Sequence, residues 1–222
     1  MIIKKKVSNI LYPTLFVFVY LVSMFFYISY CCHNDMLISL NKITSLNFET
    51  KILFDITSGL LPVIVLLIIT VFKKRQIKDL GITLKKPAII AALLLIYLLM
   101  FFANGDFTMK GFYEAYYYLI IVALSEELIF RGYLYSLIER EAGFWVAVVI
   151  SGMLFGAAHS IMPAIMNDYT LLEFIRSIYS NLLGQGIFIS GVFALLYKKS
   201  NTLFVPILIH AILDYMNVLF SK

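Results

Sequence analysis

Charge is scarce in this sequence. Asp, Glu, Lys and Arg make up 14% of its 222 residues and hydrophobic residues 62%, against ~25% and ~45–50% in a soluble domain. With a mean hydropathy of +0.92, a soluble globule is excluded, and no stretch is polar enough or long enough for a second folded unit. Cysteine is limited to Cys31 and Cys32, whose adjacency disfavours a mutual disulfide and matches no metal motif. There is no Gly-x-Ser-x-Gly elbow, no Ser-His pair on matched spans and no His-Glu-x-x-His helix, so two common hydrolase designs are absent. Nothing suggests a phosphate loop, nucleic-acid recognition, an internal repeat or a low-complexity tract.

What remains is apolar runs close to the ~20 residues that span a bilayer. Seven are expected, over residues 10–30, 52–72, 88–103, 113–135, 144–159 (reaching toward 162), 181–197 and 203–220. The expected architecture is all-α: a polytopic membrane helix bundle of about seven transmembrane helices around a polar intramembrane cavity. Residues 1–222 read as one membrane domain, with three N-terminal spans in 1–105 and a four-helix core in 113–220. Lys4-Lys5-Lys6 before an apolar run resembles a signal peptide, but the run is span-length and no small-x-small cleavage site follows, so a retained first helix is expected. Residues 168–180 have helical spacing with too many polar positions to span, and are expected at the outer surface. Gly184, Gly186 and Gly191 in the sixth run suit close helix packing.

Orientation follows from the basic residues. With the N-terminus cytoplasmic, thirteen fall inside (Lys4–Lys6, Lys73, Lys74, Arg75, Lys78, Lys85, Lys86, Arg131, Arg140, Lys198 and Lys199), and five fall outside (Lys42, Lys51, Lys110, Arg176 and Lys222), which accounts for all 18. This positive-inside bias supports an odd number of spans. The expected location is a multi-pass position in a plasma membrane; the Lys- and Ile-rich, Ala-poor composition suits a bacterium.

The exceptions to apolarity carry the chemistry. Leu124-Ser125-Glu126-Glu127-Leu128-Ile129-Phe130-Arg131 puts three charges into a lipid-like run. Each would cost at least ~2.5–3.5 kcal/mol at the bilayer centre, so each must face protein or water. Two of three histidines also fall in apolar runs, His159 and His210, whereas His33 sits in an exterior loop. Residues four apart share a helical face, so Glu127 can pair with Arg131, and His210 with Asp214. Glu126 points ~100° away from Glu127 on an α-helix. At ~1.5 Å per residue, Glu126 and His210 lie ~10–15 Å from the cytoplasmic ends of their runs, Asp214 ~16 Å and His159 ~20 Å. One intramembrane pocket in the cytoplasmic half is the expectation.

Taken singly, each residue has a structural reading: an ion pair, a hydrogen-bonded core histidine, a helix cap. Together, carboxylates and histidines on three spans permit hydrolysis, with one pair sharing a water and a second histidine facing the oxyanion. Two histidines with carboxylates could instead ligate Zn²⁺. A proton or ion pathway would also use such groups.

Glu126-Glu127-x-x-x-Arg131, Phe155-x-x-x-His159 and His210-x-x-x-Asp214, in this order on separate runs, resemble the three motifs of the CAAX-protease and bacteriocin-processing (CPBP, or Abi) membrane proteins. The resemblance covers residues 116–217, including the connection through Leu203-Phe204-Val205-Pro206-Ile207; the first three runs carry no such signature. It implies an intramembrane glutamic endopeptidase that needs no cofactor, built around a water-accessible conical cavity. By the same resemblance, Glu126 is the general base, His159 helps position the water and His210 stabilises the oxyanion. Glu127 and Arg131 are then structural, and Phe155 packs beneath the site. Asp214 stands where the family has asparagine or aspartate. Either it carries a proton and donates to the oxyanion, or it orients His210; the second reading is preferred. The implied partners are the lipid bilayer and a peptide or membrane-protein substrate: prenylated, leader or signal-like. The alternatives are a non-catalytic protein of the same fold, such as a bacteriocin self-immunity or regulatory partner, and a metal-dependent membrane peptidase.

Overall fold

The computed structural model describes residues 2–73 and 76–220, with side chains described from Val7 onward. Lys74, Arg75 and Lys222, and the side chains of Lys4, Lys5 and Lys6, which enter the charge count, lie outside the described residues. Seven helices carry the seven apolar runs: α1 (Ile2–His33), α2 (Phe48–Phe72), α3 (Pro87–Asn104), α4 (109–142), α5 (Phe144–Met166), α6 (Leu171–Ser200) and α7 (Phe204–Phe220). The described residues contain no strand, and the chain is an all-α polytopic membrane protein. α1, α2, α3, α5 and α6 are long and apolar enough to cross a membrane. α7, at 17 residues, stands at the short end of the ~17–25 that span. α4 is long enough, but it carries Glu126, Glu127 and Arg131 within its apolar run.

Helix α6 begins well before the expected position. Residues 168–180 do not form a separate surface element: Leu171–Asn181 runs without a break into the apolar stretch. A reciprocal cap explains the start. Thr170 N–H donates to Glu173 Oε2 at 2.8 Å, and Glu173 N–H donates back to Thr170 Oγ1 at 3.4 Å, satisfying two donors of the first turn. Pro163 lies inside α5, and the helix continues past it, as membrane helices tolerate.

The chain divides into two compact units, each assembled from separated stretches. The first is Met1–Met36 with Ile129–Leu195. Here α1 packs on α5 and on the end of α4, where Asn9 Nδ2 donates to Glu141 Oε1 at 2.8 Å. Helices α5 and α6 meet backbone to backbone. A Cβ on Gly152 would stand 2.9 Å from the Gly186 carbonyl oxygen, and one on Gly186 would stand 2.8 Å from that of Gly152. Small residues permit this approach; of the expected glycines, Gly186 serves it, whereas Gly184 faces open space.

The second unit is Leu37–Leu128 with Leu196–Lys222, and the 105–113 boundary read from the sequence falls inside it. Here α7 lies on α3 and on the 117–124 stretch of α4. Fully buried Tyr215 meets the Tyr97 ring at 5.3 Å and takes a hydrogen bond from Asn104 Nδ2 at 3.3 Å. The start of α7 is fastened by a polar strap: Leu203 N–H donates to Gly81 O at 2.8 Å, and Thr202 Oγ1 donates to Thr83 O at 2.5 Å. Gly81 holds a φ of +82° beneath the Tyr197 ring, a conformation that glycine adopts without a Cβ penalty. The same unit buries an ion pair in α2. Lys51 and Asp55 meet at 2.7 Å, and Tyr113 OH donates to Asp55 Oδ2 at 2.6 Å. Lys51, assigned to an outer loop end by the charge count, is thus a buried brace.

Candidate active site

The site of the second unit is built on α4 and α7, and its centre is His210. Two turns after the polar strap, α7 presents the ring with 10% of the side chain exposed. Nδ1 of His210 lies 2.9 Å from Glu127 Oε1, and Glu127 is fully buried. An ionised carboxylate only accepts hydrogen bonds, so Nδ1–H donates and Glu127 sets the tautomer and the plane of the ring. Nε2 then faces two further carboxylates, Asp214 Oδ2 at 3.4 Å and Glu126 Oε2 at 3.8 Å. Glu126 and Asp214 are both about a third exposed, at 29% and 31%, which leaves them room for a small reactant.

The backbone explains how two adjacent glutamates reach one histidine. Residues 117–124 and 127–135 of α4 are wound with i→i+5 hydrogen bonds, with Ser125 and Glu126 between them. The wider turn holds more residues, so neighbouring side chains diverge by less than the ~100° of an α-helix. Such stretches are rare and concentrate at functional sites. Regular α geometry pairs Glu127 with Arg131; the structure adds Glu127 to the surroundings of His210.

Arg131, Phe155 and His159 belong to the first unit. Arg131 is fully buried, and its guanidinium stacks on the Phe155 ring at 4.2 Å and over the Phe193 ring at 5.2 Å. Desolvated stacking of this kind stabilises by up to ~2 kcal/mol or more. Phe155 also meets Phe130 edge-on at 5.0 Å and the His159 ring at 4.5 Å. The expected packing residue is therefore the support of His159 itself. His159 is half-buried, and its Nδ1 stands 2.9 Å from the Phe155 carbonyl oxygen. Since that carbonyl only accepts, Nδ1–H is the donor of this contact.

Among the described residues, no group of three His, Cys, Asp or Glu side chains is arranged to hold a metal ion. His33 bonds locally to the Ser29 carbonyl and joins no cluster of this kind.

The fold and these side chains define a class: a polytopic α-helical membrane protein with carboxylates gathered on a buried histidine. Residues 108–216 match the family described as Type II CAAX prenyl endopeptidase Rce1-like. The matched segment spans just under half of the chain and is what likens it to a family of CAAX endopeptidases. All seven motif residues, from Glu126 to Asp214, fall inside the match. No curated protein and no solved structure matches the chain significantly.

Proposed function

We propose that the protein is an intramembrane glutamic endopeptidase that hydrolyses a peptide bond with a water activated by Glu126. The carrying observation is the His210 ring, fixed through Nδ1 by Glu127 and turned through Nε2 toward Glu126 and Asp214. In this reading Glu126 takes a proton from water as the oxygen attacks the peptide carbonyl. The electron pair moves onto the carbonyl oxygen, and the resulting oxyanion receives a hydrogen bond from Nε2–H of His210. Because Nδ1–H already donates to Glu127, this donation requires the ring to carry both protons, and three carboxylates face it. Glu126 then passes its proton to the leaving nitrogen as the C–N bond breaks. His159, matched to the family motif and held by Phe155, helps position the water. Asp214 orients His210 and does not itself donate to the oxyanion.

No step needs a metal ion. The peptide is cut within a plasma membrane, bacterial by composition, with the N-terminus on the cytoplasmic side. The test is cleavage of a prenylated CAAX-type peptide by purified protein in detergent, with and without a chelator. Cleavage that survives metal removal supports the reading. Cleavage that stops under the chelator and returns with Zn²⁺ assigns the reaction to a metallopeptidase instead.

A further inference from the structure

Helix α6 is long and apolar enough to span the membrane, yet it has two faces. Leu172, Ile175, Tyr179 and Leu183 recur at helical spacing and are 52–70% exposed, as lipid-facing side chains are.

 The other face is polar: Glu173, Ser177 and Asn181 follow one another at spacings of four, with Arg176 and Ser180 beside them. Residues four apart share a face, so these five form one stripe, and with Tyr169 they line an open surface cleft of about 440 Å³. Polar side chains on a spanning helix face protein or water, and a cavity walled by these groups is a place for water.

The stripe ends beside a residue of the proposed mechanism. Asn181 Nδ2 donates at 2.9 Å to the Oγ of Ser160, which is itself fully buried and follows His159 on α5. His159 is seven residues from the Met166 end of α5, ~10 Å at 1.5 Å per residue, and fifteen residues, ~22 Å, from the Phe144 end. With the N-terminus cytoplasmic, as the basic residues indicate, bulk water is closer to His159 on the opposite side than on the cytoplasmic side.

We propose that this polar cleft is an aqueous vestibule, open on the surface opposite the cytoplasm, that brings water to the turn of α5 bearing His159. The use of that water rests on the catalytic reading of His159. The vestibule itself is tested without cleavage, so the two readings fail separately. In a background with Cys31→Ser and Cys32→Ser, single cysteines replace Ser177 or Ser180 in the polar stripe, and Ile175 or Tyr179 on the apolar face. A charged, membrane-impermeant methanethiosulfonate is applied to intact cells, and variants that elute as folded protein are scored. Thiolates form in water and not in lipid, so Ser177→Cys and Ser180→Cys should react at least ~10-fold faster than Ile175→Cys and Tyr179→Cys. Either stripe position suffices. Equal rates on the two faces, or reaction of the stripe only from the cytoplasmic side, would overturn the proposal.

Discussion

Glu127→Gln is the substitution that separates a positioning carboxylate from a merely structural one. Glu127 is fully buried and meets His210 Nδ1 at 2.9 Å. Glutamine keeps the volume and an accepting oxygen but removes the charge. A hydrogen bond to a charged group contributes about 1.5–3 kcal/mol. If that difference is felt where His210 carries both protons, in the transition state, the rate falls by roughly 10- to 150-fold, at 1.36 kcal/mol per tenfold. KM should stay close to wild type, because Glu127 is too buried to touch a peptide. The assay is steady-state cleavage by purified protein over a range of pH, with thermal unfolding measured in parallel. A positioning role also moves the pH profile, since the charge beside an essential histidine has changed. A variant that unfolds earlier yet cleaves within twofold of wild type, with the same pH profile, would refute the reasoning and leave Glu127 a packing residue.

Other substitutions give separate outcomes. Asp214→Asn should preserve or raise cleavage, because asparagine keeps the hydrogen bonding and removes a charge facing the oxyanion; an inactive but folded variant would show that the charge is needed. His159→Ala should lower kcat by roughly 10²-fold or more, the low end of general acid–base contributions, with unfolding temperature as the control for lost packing on Phe155. Gly152→Ala should lower the unfolding temperature in detergent, since its Cβ would stand 2.9 Å from the Gly186 carbonyl and overpacking costs about 1–3 kcal/mol. An unchanged Tm would show that α5 and α6 can shift apart without penalty.

The helices were legible because lipid leaves a simple record: a run of apolar residues near span length reads the same whatever it packs against. The spacing of Glu126, His159 and His210 was legible for a related reason, since charged or polar residues stand out in such runs. Less legible were the features that depend on departures from regular helix geometry or on partners far along the chain. The i→i+5 winding around Glu126 let Glu127 reach His210, and nothing in the local sequence marks that winding. The start of α6 is written in Thr170 and Glu173, a capping box masked by the polar residues that follow it. Lys51 and Asp55 stand four apart in the sequence and could have been paired by the rule applied to Glu127 and Arg131. The strap from Gly81 and Thr83 to Thr202 and Leu203 joins residues more than a hundred positions apart, beyond any reading of local pattern.

The central claim is that a single carboxylate, Glu126, activates water. Its most direct test is the cleavage rate of Glu126→Gln beside wild type, with the same peptide, detergent and chelator. The account predicts a folded protein whose kcat falls by at least ~100-fold, the low end for a lost general base, with peptide binding retained. Cleavage at a rate near wild type would contradict it and move the base elsewhere in the molecule.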